Sequence, residues 1–281
     1  MIGRDRIQYK TPDQVRAMRR AGLVVGETLA LLRESAEVGM TTRDLDAIAE
    51  KRIRGAGAVP SFMGYHGFPA TLCVSVNDEI VHGIPGDRVL ADGDVVSIDC
   101  GAIVAGWHGD AAVSLVVGHP DPADEQLVET TERAMWHGIA ALLAGRRLHE
   151  VGSAVEDLVE SRAQDGGALG PSGYGIVEEY VGHGIGTEMH QTPQVPNYRV
   201  RDKGVRVRAG LVVAIEPMLT RGSAATRVLD DDWTVVSTDS SRAAHFEHTV
   251  AVAEDGLWVL TALDGGREQL ARLGAPYAGR D

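Results

Sequence analysis

Two apolar segments of similar sequence, each ending in a carboxylate, constrain the fold of this chain most strongly. Residues 93–99 read GDVVSID, and residues 210–216 read GLVVAIE. Short runs rich in valine and isoleucine predict buried strands. Helical patterns precede both segments, so the sequence predicts an α+β fold of two related halves that share one sheet system. A match this short also arises by chance, so it does not establish the symmetry alone.

Residues of metal-binding types lie in tight local settings along the chain. Four are carboxylates and one is an imidazole: Asp99, Asp110, His183, Glu216 and Glu247. Buried charges without partners are very costly, so a cluster of four carboxylates needs counter-charge. Two divalent cations that share bridging oxygens would supply it, and such a pair activates water and polarises a carbonyl. We therefore predict a centre with two metal ions.

Each of these residues also has an ordinary structural explanation when it is taken alone. Asp99 and Asp110 could serve turns, although a hairpin between them would return both carboxylates to one region of a sheet. Glu216 could form a salt bridge, and Glu247 could belong to the polar face of a half-buried strand. His183 lies between two glycines that permit a close approach, and a second histidine follows seven residues later. The five together favour metal binding.

Capping signals and apolar periodicity predict four helices. The first begins at Pro12, with a capping box formed by Thr11 and Gln14. Its apolar residues then recur at helical spacing. The other helices are expected from Thr41–Thr42 up to Gly55, at 122–143 before Gly145, and at 150–164, closed by Gly166–Gly167.

Alternating or continuous apolar runs predict the strands. Two of them, 103–108 and 111–117, are expected to pair around a turn at Ala105–Gly106. The others are expected at 72–76, 95–98, 176–181, 211–216, 247–253 and 257–260.

Composition limits the class of protein. The chain has 281 residues and no linker long enough to separate independent domains, so one domain over 1–281 is expected. A formal net charge of −13 disfavours general nucleic-acid binding. Only two cysteines, Cys73 and Cys100, are present, which fits a reducing cytosol. With no signal peptide or membrane span expected, a cytoplasmic location is predicted.

The N-terminal segment runs against the overall charge. Its basic residues are Arg4, Arg6, Lys10, Arg16, Arg19 and Arg20. Such a stretch could touch an acidic partner such as ribosomal RNA, in a transient ribosome contact. A solvated helix face with a basic tail is the simpler explanation.

Long segments of the chain resemble the type I methionine aminopeptidases of peptidase family M24. The most specific is GHGIGTEMHQTPQVPNY at 182–198, and SVNDEIVHGIPGDRVLADGDVVSIDCGAIVAGWHGDAA at 75–112 is nearly as telling. The resemblance runs from IQYKTPDQVRAMRRAG to about Leu263, and long segments matched in order are stronger than a short motif. It implies the pita-bread fold, with two pseudo-symmetric halves around a dimetal site, in a short, bacterial-style form.

The resemblance also implies roles for the candidate ligands. Asp110 and Glu247 would bridge two divalent ions, and Asp99 would bind mainly the ion that meets the substrate amine. His183 and Glu216 would complete the other ion. A hydroxide held between the metals would attack the scissile carbonyl. Oxygen ligands with one imidazole suit manganese, iron, cobalt or zinc.

Further roles in catalysis follow from the same resemblance. Glu216 would carry a proton to the departing amine, and His190 would steady the developing oxyanion. His82 would contact the scissile amide or the second residue of the substrate. His82 and His190 could instead orient the metal ligands through hydrogen bonds.

A narrow apolar pocket for a methionine side chain is the last implied feature. By resemblance it is formed by Tyr65, Phe68, Cys73, Met189 and Trp233. Core packing is the ordinary explanation for Phe68 and Met189. Met189 stands where the family usually places an aromatic residue, which leaves the strictness of the pocket open.

The predicted function is removal of the initiator methionine from nascent polypeptides whose second residue is small, by a monomeric enzyme. Two alternatives remain: a related dimetal peptidase that cleaves before proline, and a protein of this fold that binds without catalysis. Other chemistries have weaker support. No Cys-His signature supports Cys73 as a nucleophile, and the glycines at 182–186 lack the lysine of a phosphate-binding loop.

Overall fold

The computed structural model describes residues 6–164 and 173–280. The helices of this part are α1 (Pro12–Ser35), α2 (Thr42–Gly55), α3 (Pro122–Ala141), α4 (Glu150–Gln164) and α5 (Arg267–Arg272), with a 3-10 turn at Tyr65–Gly67. The predicted closure of α4 at Gly166–Gly167 lies outside the described residues. Within the described ranges, no helix combines the length and apolar character that a membrane crossing requires.

The first two helices begin where the sequence predicts them. The side chain of Thr11 accepts a hydrogen bond from the backbone N–H of Gln14, and the side chain of Gln14 accepts one from the backbone N–H of Thr11. Thr41 and Asp44 repeat this arrangement at the start of α2. These reciprocal bonds satisfy N–H groups that the first turn of a helix leaves free.

The strands of the described residues form one large sheet and two small ones. In chain order they are β1 (Val59–Pro60), β2 (Leu72–Val76), β3 (Glu79–Val81), β4 (Val95–Val104), β5 (Trp107–Val116), β6 (Gly175–Ile176), β7 (Gly182–Gly184), β8 (Gln191–Val195), β9 (Val212–Ile215), β10 (Met218–Thr220), β11 (Thr226–Val228), β12 (Val235–Ser237), β13 (Ala243–His245), β14 (Glu247–Val252) and β15 (Leu257–Val259). The large sheet has the order β1-β4-β5-β14-β9-β7-β8, with β2 beside β4 and β15 beside β14. The small sheets are β13-β10-β6 and β11-β12-β3.

The order of the central strands places the two similar sequence segments symmetrically. β4 belongs to the first segment and β9 to the second. They flank the inner pair formed by β5 and β14. The predicted α+β class and the predicted sharing of one sheet by two halves are confirmed.

The helices cover one face of the large sheet. Ile98, Val113 and Ile215, from three of its strands, join side chains of α1, α2 and α3 in the largest apolar cluster. Because alternate residues of a strand face opposite sides, the residues between these positions point away from the helices. Asp99 is one of them, so the fold itself separates the apolar core from the polar face.

Some predicted boundaries are wrong. The strand expected at 176–181 ends at Ile176, because the exposed residues Glu178 and Glu179 follow it. The helix expected to reach Leu143 ends at Ala141. The sequence prediction also missed α5 and the short strands around the loops, which are too brief to show a clear periodicity.

The predicted hairpin is longer than expected. β4 runs unbroken to Val104, and β5 starts at Trp107 and passes through Gly109. The turn is at Ala105–Gly106, where both residues have positive φ angles. Gly109 is a point of close contact with α1, because a Cβ atom there would overlap the backbone of Ala21 and Gly22.

Arg19 corrects the expectation that the basic N-terminal residues are all solvated. Its side chain is buried, and its guanidinium donates to the carbonyl oxygens of Leu260 at 2.9 Å and Leu263 at 3.0 Å. Lys10 is buried as well. These two residues therefore contribute to the folded core of the protein rather than to a basic surface.

Gly22 allows α1 to pack directly on the chain beyond β15, which gives a test of this packing. A Cβ atom at Gly22 would overlap the backbone carbonyl of Leu260, and backbone cannot move aside as a side chain can. We expect Gly22→Ala to lower the free energy of unfolding by about 1–3 kcal/mol. Gly55, near the end of α2, has open space around it. Gly55→Ala should leave stability unchanged or raise it by about 0.5–1 kcal/mol.

Urea unfolding of both variants beside the parent protein is the measurement. Equal stability of Gly22→Ala and the parent would contradict the close approach of α1 to this part of the backbone.

Candidate metal centre and active site

Strand register brings Asp99 and Asp110 onto one face of the large sheet. Asp110 pairs with Gly101, and Asp99 pairs with Ala112, in the β4–β5 hairpin. Because alternate residues of a strand face the same side, the two carboxylates are diagonal neighbours. The hairpin therefore returns both of them to one region of the sheet, as the sequence predicts.

The next two strands add two glutamates to that face. Glu247 pairs with Ala112 across β5 and β14. His248 pairs with Ile215 across β14 and β9, so the pair one position along is Glu247 with Glu216. Since Ile215 packs in the helix-covered cluster, the glutamates face the opposite side. Four neighbouring strands thus direct four carboxylates to one place.

β7 supplies the imidazole. His183 Nε2 lies 3.4 Å from Glu216 Oε1. His183 Nδ1 lies 3.0 Å from the carbonyl oxygen of Gly184, which can only accept, so Nδ1 carries the proton and Nε2 keeps its lone pair. Burial lowers the pKa of His183 to about 3, so the ring is neutral, which is the form that binds metal ions.

The carboxylates lack the partners that buried charges need. Asp110, Glu216 and Glu247 are buried, and Asp99 is partly exposed. In the described part of the chain, each has one buried oxygen without a hydrogen-bond partner: Asp99 Oδ1, Asp110 Oδ1, Glu216 Oε1 and Glu247 Oε1. Folded proteins satisfy nearly all such atoms, so four of them together indicate a site for cations.

The ionisation of these groups leads to the same conclusion. Burial raises the pKa of Asp99 to about 7, and it raises the pKa values of Asp110, Glu216 and Glu247 well above their usual range. Repulsion from Asp99 adds to the rise for the other three. Divalent cations would reverse this cost by neutralising the carboxylates that they bind. The residues therefore fit the metal centre that the sequence predicts.

A threonine holds one of the carboxylate residues in place. The hydroxyl of Thr249 accepts from the backbone N–H of Asp110 at 3.1 Å and donates to the backbone carbonyl of Asp110 at 2.7 Å. This side chain takes the place of a backbone partner between β5 and β14. Because both backbone groups of Asp110 are fixed, its carboxylate approaches Glu247 from a defined direction.

The two other predicted catalytic histidines lie beside the cluster. The ring of His190 is 4.2 Å from that of His183 between centroids, and its Nδ1 lies 2.7 Å from the hydroxyl oxygen of Tyr65. The hydroxyl can donate to Nδ1, which leaves the proton on Nε2. His82 packs edge-on against Trp233, and burial lowers the pKa of His82 to about 4. Near neutral pH, His82 is therefore uncharged.

Every residue predicted for the site lines one narrow cavity of about 170 Å³. The predicted pocket residues form a single apolar cluster: Tyr65, Phe68, Cys73, Met189 and Trp233. The ring centroids of Phe68 and Trp233 lie 5.0 Å apart, with the rings in an edge-to-face arrangement. Cys73 is buried, and burial raises the pKa of its thiol well above the usual value, which opposes a role as a nucleophile.

Sequence reasoning missed other residues of the site. Phe62, Tyr180 and Met218 also line the cavity. His245 is not among the predicted site residues, yet its Nε2 lies 4.0 Å from Glu247 Oε2. The signal was available for Met218 and His245, because each is two positions from a proposed ligand and so shares its side of an extended chain. Phe62 and Tyr180 belong to loops and had no such pattern.

Comparison with known proteins agrees with this geometry. The sequence profile described as metallopeptidase family M24 matches residues 16–254. Methionine aminopeptidase 1 of Mycobacterium tuberculosis (strain CDC 1551 / Oshkosh) is 49% identical over 260 residues, covering 92% of this chain and 96% of that protein. The crystal structure of methionine aminopeptidase from Thermotoga maritima has a TM-score of 0.86 and 38% identity, covering 92% of this chain and 100% of that chain.

A more distant structure shares the fold alone. Prolidase from Pyrococcus furiosus has a TM-score of 0.69 and 21% identity, over 90% of this chain and 65% of that chain. The chain belongs to metallopeptidase family M24, and within it to the type I methionine aminopeptidases. The predicted pita-bread fold and the predicted class of metal-dependent aminopeptidase are confirmed.

The raised carboxyl pKa values predict how metal binding affects stability. The pKa of Asp99 is about 7 in the folded protein against an ordinary value of 3.8, so the metal-free protein loses stability as pH rises through this window. A bound cation removes that cost because it replaces the protons. We therefore expect the rise in melting temperature caused by Mn(II) to be larger at about pH 7.5 than at about pH 5.5.

Differential scanning fluorimetry of metal-free protein, with and without Mn(II) at both pH values, measures this difference. The buried neutral histidines outside the ligand set affect both samples alike at each pH, so they largely cancel. An equal metal-induced rise at the two pH values would show that proton and metal do not compete at the carboxylates.

Proposed function

We propose that this protein removes N-terminal methionine from polypeptides by metal-dependent hydrolysis. The observation that carries the proposal is that an apolar pocket lies directly beside the cluster of metal-binding side chains. A narrow apolar cavity lined by Phe68, Met189 and Trp233 opens onto the cluster of four carboxylates and one imidazole. Similarity to methionine aminopeptidases over about nine-tenths of the chain supports the same reaction.

The ligand assignments follow the order of the strands. Across the sheet, in the order β4, β5, β14, β9 and β7, the five side chains are Asp99, Asp110, Glu247, Glu216 and His183, with Glu216 directly after the end of β9. Asp110 and Glu247 are central and would contact both of two divalent cations. Asp99 would serve one cation, and Glu216 with His183 would serve the other. When bound, the cations would supply an acidified water and a Lewis acid for the scissile carbonyl.

The remaining chemistry falls to the protein side chains. His190, with its proton on Nε2, would donate a hydrogen bond to the carbonyl oxygen as negative charge develops there. Glu216 would accept a proton from the acidified water and pass it to the departing amine. His82 lines the cavity beside Trp233 and would contact the scissile amide or the second residue of the substrate.

The pocket suits an unbranched thioether. Cys73 and Met189 give it polarisable sulfur atoms, and aromatic edges from Phe68 and Trp233 complete the wall. Sulfur against aromatic rings is a favourable contact for a methionine side chain. Met189 is itself flexible, so the pocket would adapt to side chains close to methionine in size. The narrow space around the metal cluster would favour a small second residue.

Several features of the wider context belong to the same proposal. The chain would act as one domain over 1–281, as a monomer in the cytoplasm, on nascent polypeptides, without binding a specific nucleic acid. The continuous large sheet and its shared core support a single unit. The two ions would be manganese, iron, cobalt or zinc. Any ribosome contact would be transient and would use Arg6, Arg16 and Arg20 rather than the buried Arg19.

The peptides Met-Ala-Ser and Ala-Pro-Ser test this function directly. With Mn(II) or Co(II), the protein should release free methionine from the first peptide and leave the second intact, because the pocket and not proline selects the substrate. EDTA should stop the reaction. Mass spectrometry of the products is the measurement, and cleavage of Ala-Pro-Ser alone would assign the protein to the proline-directed branch instead.

Two variants tie the same assay to the metal centre. Asp110→Asn should reduce turnover by at least about a hundredfold, because it removes a shared charge between the cations. Asp87→Asn, at an exposed position where the carboxylate pairs with Arg43, should behave as the parent does. Near-parental turnover in Asp110→Asn would contradict a bridging role.

A further inference from the structure

His245 is a buried imidazole for which the proposed reaction has no use. It is 1% exposed, and its Nε2 has no hydrogen-bond partner. Folded proteins rarely leave such an atom unpaired, so its position needs a cause. That Nε2 lies 4.0 Å from Glu247 Oε2, within reach of a shared ion.

The register of the strands places His245 beside Glu216 and Glu247, on the same side of the strands as these two proposed ligands. Met218 pairs with His245 across β10 and β13, which continue the chain direction of β9 and β14. His248 pairs with Ile215, and continuing that register by one position puts Glu216 opposite Glu247. Residues two apart on an extended chain face the same side, so His245 faces with Glu247. Ligand atoms of Glu216, His245 and Glu247 lie within 4.8 Å of one another.

Ser114 fixes the backbone of His245. The Ser114 hydroxyl accepts from the backbone N–H of His245 at 2.9 Å and donates to its backbone carbonyl at 2.8 Å. The hydroxyl of Ser97, 2.8 Å away, donates to Ser114 in turn. Thr249 holds Asp110 by the same pair of bonds. The structure therefore anchors His245 with the same device that it uses for a proposed ligand.

We propose that His245 is a sixth ligand of the metal centre, on the side of Glu216 and Glu247. The centre then offers two imidazoles: ligand atoms of Asp110, His183 and Glu247 lie within 4.8 Å of one another, as do those of Glu216, His245 and Glu247. The cation served by Glu216 and His183 would thereby gain a second nitrogen donor. A second nitrogen donor shifts the preference of a carboxylate site away from manganese and towards zinc or cobalt. The inference rests on the proposed metal centre but does not require the peptidase reaction.

Nuclear magnetic resonance of protein labelled with ¹⁵N in its histidine rings tests ligation directly. Metal-free protein is titrated with Zn(II), and the ring nitrogen shifts report which histidines bind it. The proposal predicts that Nε2 of both His183 and His245 changes to the shift of a zinc-bound nitrogen. The His245→Gln variant identifies the second signal by its loss. A spectrum in which zinc changes His183 and leaves Nε2 of His245 unbound overturns the proposal.

Metal affinity provides a second measurement with a matched control. His248 is a partly buried histidine on the helix side of β14, where its Nδ1 lies 2.8 Å from the hydroxyl oxygen of Thr261. Competition with a chelating dye should show Zn(II) affinity about tenfold lower in His245→Gln, a smaller loss for Mn(II), and a parental value in His248→Gln. Equal Zn(II) affinity in His245→Gln and the parent would contradict the proposal. Because neither measurement uses a peptide, failure of the proposed function would leave both results interpretable.

Discussion

Four carboxylates from four adjacent strands share one face of the large sheet, where they repel one another unless cations lie between them. Among the described residues, one buried oxygen each of Asp99, Asp110, Glu216 and Glu247 lacks a hydrogen-bond partner. Burial raises the pKa values of all four carboxyl groups, and repulsion from Asp99 adds to the rise for the other three. A fold that kept these residues only for stability would be improved by removing them. Their presence therefore makes sense as a binding site whose cost is offset when metal ions bind.

The rest of the structure holds that face in register. Apolar residues at the alternate positions fix the opposite side of the sheet against α1, α2 and α3. A one-residue slip of any strand would exchange the two faces, so the core specifies the site as firmly as it specifies the fold. On the polar side, the hydroxyl of Thr249 fixes the backbone of Asp110, and the hydroxyl of Ser114 fixes the backbone of His245.

A second anchor lies at the start of α3. Asp124 is buried and forms ion pairs with Arg221, just after β10, and with Arg242, just before β13. Arg242 also donates to the carbonyl oxygen of Gly93, at the approach to β4. This group joins both halves of the molecule through one helix end. It fixes the small sheet that carries Met218 and His245 beside the cavity.

Much of this arrangement could be predicted from the sequence because local patterns specify it. Capping residues gave the starts of α1 and α2, and apolar runs ending in Asp99 and Glu216 gave the strands that carry two of the ligands. The convergence of those ligands was less accessible, because strand register across β5, β14 and β9 depends on contacts between distant segments. His245 could have been found from the sequence, because it lies two positions from Glu247 and so shares its side of an extended chain. Its pairing with Met218 across distant segments then places it beside the centre.

The number of metal ions bound by the protein tests the central claim most directly. Metal-free protein would be equilibrated with excess Mn(II) or Co(II) without oxygen, passed through a desalting column, and analysed by mass spectrometry for metal and by amino-acid analysis for protein. Four carboxylates with at least one imidazole on one face predict two ions per chain, and fewer in Asp110→Asn. Binding of no more than one ion by the parent protein at saturation would contradict the account of a shared dimetal face.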